Sequence, residues 1–174
     1  MFKNSPYHTA IRKEMERLSK NPKVIFLGQC IRSETFYGTL ENIPGHQLRE
    51  FPVCEDLQLG ISIGLALEGF LPVSIFQRMD FLPRAMDQLV NHLNLIPKIS
   101  RRTYNPKIII RVTVGNENTG LQHNKNLTNL MKVAVDFPVL EALDVEDVHY
   151  AYSLARKIDT SIMIIEHNEL YTEK

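Results

Sequence analysis

Three short groups of residues have the types and positions from which chemistry could be built. Glu55 and Asp56 open a stretch rich in small and apolar residues that reads as a helix, so two carboxylates lie in a first helical turn. Gln77-Arg78-Met79-Asp80-Phe81 directly follows the apolar run Leu71–Phe76, and Gln122-His123-Asn124 closes a polar loop after the apolar run 107–114. A carboxylate can hold or pass a proton, a phenyl ring can carry a flat ligand, and a histidine can change charge near neutral pH. Each group also has a plainer reading. Acidic residues in a first turn complement the helix dipole, a lone phenylalanine is usually core, and a histidine in a polar loop is usually solvated.

Position sharpens the choice. In open α/β sheets, ligands gather at the carboxyl ends of strands and at the helix N-termini beside them. All three groups fall at such places if the chain alternates strands and helices, and the pattern says that it does. Ser5 can cap a first helix with Pro6 at its first position, and Tyr7, Ile11, Met15 and Leu18 then fall on one helical face. Residues 24–27 read as a buried strand and 29–52 as a long loop. Residues 54–68 read as a helix closed by Gly69, whose Gly60, Ser62, Gly64 and Ala66 predict a buried element closely approached by another backbone. Further strands are predicted over Leu71–Phe76, 107–114, 138–143 and 161–166. Further helices are predicted from Pro83 toward Ile96, near residues 127–134, and over Val145–Lys157 capped by Asp144. Five apolar strands separated by helices predict an α/β fold with a mainly parallel sheet flanked by helices.

Composition removes other classes. The 174 residues, 44% hydrophobic, suit one domain over 1–174. Lysine plus arginine equals aspartate plus glutamate at 20 each, which disfavours a nucleic-acid partner. No run of apolar residues is long enough for a membrane span. Cys30 and Cys54 lack metal or redox spacing and predict reduced thiols in a cytoplasmic protein. No glycine-rich dinucleotide motif, P-loop, nucleophile elbow or metal-ligand spacing is present.

The run from Phe51 to Leu93 resembles the pyrimidine-binding domain of transketolase-like thiamine diphosphate enzymes. It is most similar to the beta subunit of the decarboxylating component of 2-oxo acid dehydrogenase complexes. The likeness is carried by Pro52-Val53-Cys54-Glu55, Gly60 to Gly64, Gly69-Phe70-Leu71-Pro72, Asp80-Phe81 and Asp87-Gln88. Leu121-Gln122-His123-Asn124 and Glu166-His167-Asn168-Glu169-Leu170-Tyr171 extend it nearly to the end of the chain.

The resemblance implies that Glu55 hydrogen-bonds the N1′ nitrogen of the cofactor's aminopyrimidine, that Phe81 packs on that ring, and that His123 lies near the reacting carbonyl. Gln77 joins Glu55 and Phe81 as a candidate cofactor contact. The cofactor implied is thiamine diphosphate with magnesium, and the substrate a 2-oxo acid or ketose. The family's diphosphate- and magnesium-binding Gly-Asp-Gly motif is not found, nor is its C-terminal domain. Both functions are therefore expected from an alpha-type partner subunit, within a dimer or heterotetramer, and this chain alone is expected to be inactive. Arg84 and Asn116-Glu117-Asn118 depart from the family pattern. The alternative is a non-catalytic interaction module that keeps the fold.

Overall fold

The computed structural model describes residues 5–116, 118 and 120–172. Six strands form one sheet: β1 (Val24–Gly28), β2 (Leu48–Glu50), β3 (Leu71–Phe76), β4 (Ile109–Val114), β5 (Val139–Ala142) and β6 (Ile162–His167). Their order is β2-β1-β3-β4-β6-β5, and every neighbouring pair is parallel. The sheet is thus wholly rather than mainly parallel. Its sixth strand, β2, lies inside the stretch expected as loop. Three residues with Arg49 and Glu50 exposed carry no apolar signal, and it is the pairing of Leu48 with Phe26 that makes them a strand.

On one face, α1 (Pro6–Ser19) packs against α5 (Val145–Lys157). Both start as their capping residues predict. The Ser5 hydroxyl accepts from the His8 N–H at 3.0 Å, and the Asp144 carboxylate accepts from the Asp147 N–H at 2.8 Å. Between the two helices the buried Glu14 carboxylate receives His149 at 2.8 Å and also Arg17 and Arg156. On the other face lie α2 (Glu55–Leu67), an irregular helical segment, α3 (Ile96–Ile99) and α4 (Thr128–Ala134).

The irregular segment corrects the helix expected from Pro83 to Ile96. A 3₁₀ helix, Met79–Ala85, contains Pro83 in its interior and is followed by a π-helical turn, Gln88–Leu93. Within it the Asn94 N–H reaches back five residues to the Leu89 carbonyl at 3.0 Å. Proline cannot donate to a continuous α-helix, and Leu89 and Leu93, four residues apart, both face the core. The expectation for α2 holds on one side only. Leu59, Ser62 and Ile63 are buried, whereas Leu57, Ile61 and Leu67 are exposed, and among the described residues no other element comes within 4 Å of where a Cβ on Gly64 would lie. Gly69 ends the helix with φ +81°, as a C′ glycine does. No helix among the described residues is long and apolar enough to cross a membrane.

The centre of the first face is ionic. Arg111 on β4 and Glu166 on β6 are both fully buried, and Arg111 Nε donates to the two carboxylate oxygens at 2.9 and 3.0 Å. Arg111 Nη1 donates to Thr39 Oγ1 at 2.9 Å, and the Phe36 ring lies 4.8 Å from the guanidinium carbon. The Tyr152 and Tyr171 hydroxyls donate to Glu166. Burial alone would lower the Arg111 pKa, but Glu166, Tyr171 and Tyr152 outweigh it and the net shift is upward. Thr35, Phe36 and Tyr37 precede Gly38 in a left-handed turn, with φ of 46°, 43° and 58°. That conformation costs roughly 1–2 kcal/mol per non-glycine residue. It is held by Phe36 over Arg111, by Arg78 on the Tyr37 hydroxyl, and by His8 on the Tyr37 carbonyl at 2.7 Å.

Two outcomes follow. Arg111→Met leaves Glu166 buried without its cation, and urea denaturation should show a loss of about 3–5 kcal/mol. Burial first, and Glu166 second, push Tyr7, Tyr152 and Tyr171 well above the ordinary 10.0. A raised folded-state pKa gives stability that is complete below the unfolded value and is lost as pH rises above it. Alkaline unfolding should therefore begin above about pH 10. In an absorbance titration the three phenols should ionise with unfolding rather than before it.

Candidate functional site

The chain passes from β1 outward to the edge strand β2 and returns to β3 on the other side of β1, so the sheet reverses its winding between β1 and β3. That is where a doubly wound sheet opens a crevice. Gly28 ends β1 there, and a Cβ on it would lie 2.3 Å from the Ile75 carbonyl oxygen, so only glycine lets the two strand ends lie this close. The next residue, Gln29, donates through Nε2 to Glu55 Oε1 at 3.3 Å.

Glu55 is the first residue of α2 and 2% exposed. Its place is set one turn later by Gln58, whose Nε2 donates to Ser74 Oγ at 3.1 Å and to the Ile75 carbonyl at 3.0 Å, pinning α2 to β3. Arg84, from the 3₁₀ helix, brings Nε within 3.1 Å of Glu55 Oε2. The approach is out of line for a hydrogen bond, and among the described residues Oε2, though buried, accepts none. The contact is ionic, with the carboxylate buried and the Arg84 side chain 68% exposed.

Phe81 and His123 meet edge to face, their ring centroids 5.5 Å apart. The loop carrying His123 is tied to the 3₁₀ helix. The Asp80 carboxylate accepts from the Lys125 N–H at 3.3 Å, and Met79 Sδ from the Leu127 N–H at 2.9 Å. Residues 117 and 119 of the same loop, including Glu117 of the expected departure, lie outside the described residues. The structure thus joins Glu55 to Arg84 and Phe81 to His123 through one short helix. The Gln77 carbonyl accepts from Arg78 and Thr113, and its side chain acts on the Cys30 thiol, lowering its pKa. Burial, then Glu34 and Glu50, raise that thiol's pKa despite Gln77. Cys30 and Cys54 are both free. No group of three or more His, Cys, Asp or Glu among the described residues could hold a metal ion.

Sequence reasoning missed Gln29 and the roles of Arg78 and Arg84. Gln29 could have been found from its place directly after the first strand, since strand carboxyl ends are where ligands bind. Nothing local marked Arg84 as the partner of Glu55.

No family model matches the chain. The pyruvate dehydrogenase E1 component subunit beta of Staurastrum punctulatum is 22% identical over 165 residues, covering 91% of this chain and 50% of that protein. The 2-oxoisovalerate dehydrogenase subunit beta of Bacillus subtilis is 22% identical over 168 residues, covering 93% and 50%. A solved split-gene transketolase, described as an inactive beta4 tetramer, superposes with a TM-score of 0.71 at 18% identity, over 92% of this chain and 49% of that one. The chain has the fold of the matched half of that transketolase. It spans about half the length of the curated relatives it matches.

Because Oε2 accepts no hydrogen bond and the Arg84 side chain, itself mostly exposed, can turn to solvent, Glu55→Gln should keep the fold. Thermal unfolding should register a change of less than about 1 kcal/mol.

Proposed function

We propose that this chain is the pyrimidine-binding half of a two-component thiamine diphosphate enzyme acting on a 2-oxo acid or ketose. Relatives named as subunits of pyruvate and 2-oxoisovalerate dehydrogenases support the class. One observation carries the residue-level reading. At the crevice between β1 and β3, a carboxylate 2% exposed keeps one buried oxygen that accepts no hydrogen bond. A buried acceptor left unsatisfied is costly, and a ring nitrogen sharing a proton would satisfy it. The residues present therefore fit an aminopyrimidine.

Thiamine diphosphate, when bound, supplies a thiazolium carbon that acts as nucleophile and electron sink. The rest falls to this chain. Glu55 would hold a proton against the ring nitrogen through Oε2, while Gln29 fixes Oε1 and so the plane of the carboxylate. Phe81 would offer a face to the pyrimidine, and His123, in contact with the Phe81 ring, would stand toward the substrate carbonyl as proton donor or carboxylate contact. Gln77, directly after β3, would contact the cofactor from the floor of the crevice.

The diphosphate and its magnesium would be held by an alpha-type partner, and turnover would need both chains. The exposed Leu57 and Ile61 beside Gly60 and Gly64 on α2 supply a surface for pairing, toward a dimer or heterotetramer. With a diphosphate-binding partner chain, thiamine diphosphate and magnesium, the protein should turn over a 2-oxo acid or ketose. Glu55→Gln should lower kcat by about 100- to 10,000-fold, the range for a lost acid–base group. Near-normal turnover of that variant would refute the assignment of Glu55.

A further inference from the structure

The Arg84–Glu55 contact asks what an empty chain does with a buried carboxylate. An ionised group removed from water needs a counter-charge. Glu55 finds it in Arg84, and the two differ sharply in freedom: the carboxylate is 2% exposed, the arginine side chain 68%. Glu55 is fixed by Gln29 and by the anchoring of α2 through Gln58. Arg84 reaches in from the surface, at the end of a 3₁₀ helix that a π-helical turn follows. Its Nε lies against Oε2, the oxygen left free of hydrogen bonds.

We infer that Arg84 is a displaceable latch on Glu55, competing with the aminopyrimidine ring for the same carboxylate oxygen. This rests on the reading of Glu55 given above and adds a residue to it. With the crevice empty, the guanidinium compensates the buried charge. As the ring enters, Glu55 takes up a proton from solvent and shares it with the ring nitrogen, which removes the buried charge, and the guanidinium gives up its place and swings to solvent, where most of it is already. Arg84 is a positioning residue, acting on the cofactor only through Glu55. It sets how strongly the ring must bind before Glu55 is engaged.

The test uses the isolated chain and an uncharged probe, the hydroxymethyl aminopyrimidine half of thiamine. Without a diphosphate, ionic effects on the probe itself are absent. Calorimetric titration under mildly alkaline conditions compares the wild type with Arg84→Met, Arg84→Lys, Glu55→Gln and the Arg84→Met/Glu55→Gln double variant. Removing the latch should tighten binding about fivefold, the size of an exposed ion pair. Arg84→Lys, which keeps the charge, should stay within about twofold of wild type on the same scale.

Raising ionic strength screens the exposed partner. It should therefore tighten binding to the wild type and leave Arg84→Met unchanged, a response that a merely structural arginine would not give. Equal affinity of wild type and Arg84→Met, or binding by neither, overturns the latch. If Arg84→Met binds no more tightly than wild type while Glu55→Gln loses binding, the latch fails and the role of Glu55 stands. If Arg84→Met/Glu55→Gln binds as tightly as Arg84→Met, the role of Glu55 itself fails.

Discussion

Arg111 and Glu166 form a fully buried ion pair, and most of the elements that shape the crevice are tied to it. The arginine comes from β4 and the glutamate from β6, so the pair clamps the two strands at the middle of the sheet. Tyr152 brings α5 to the same carboxylate, and Tyr171 brings the turn that follows β6. Thr39 and Phe36 bring the loop after β1. A pair of this kind adds little net stability over apolar packing, because desolvation offsets most of the attraction. What it supplies is direction. A guanidinium has a fixed fork of donors, and each must meet an acceptor at a set angle. Greasy contacts would tolerate a loop shifted by an ångström, whereas this network does not.

That directionality reaches the other face of the sheet by a short route. Phe36 on Arg111 helps to hold a left-handed turn that the backbone would otherwise avoid, and Tyr37 in the turn meets Arg78 at the end of β3. Arg78 opens onto the 3₁₀ helix that carries Phe81 and Arg84. The segment that addresses Glu55 and His123 is therefore braced at its start by a polar chain running back to the core. Its far end is a π-helical turn, a widened geometry often found beside functional sites.

Much of this was legible in the sequence where the determining forces are local. The bounds of α1 and α5 follow from Ser5 with Pro6 and from Asp144, because caps act within a few residues. β3 matches its apolar run residue for residue. Glu55, Phe81 and His123 were marked by their order along the chain, and the folded chain links the last two directly. Illegible were features set by distant partners. β2 exists through its pairing with β1, and the segment around Pro83 leaves α-helical geometry for a 3₁₀ helix and a π-helical turn. The ion pair of Arg84 with Glu55 joins residues 55 and 84 across two elements, and no spacing rule reaches that far.

The parallel sheet with its charged centre also governs the order in which the molecule can assemble. Parallel neighbours cannot be joined by a tight hairpin, and each ladder here closes a long segment before any hydrogen bond forms. Such non-local closure slows folding, because loop entropy is spent before contacts return it. The β4–β6 ladder carries a further condition. Arg111 and Glu166 cannot enter the interior one at a time, since either charge alone would be stranded there. The two strands must meet as a unit, with the fifty-odd residues between them, β5 included, already gathered, and the edge strand β2 can add afterward to a template that exists. The same pair that orients the finished crevice therefore acts as a checkpoint on the way to it.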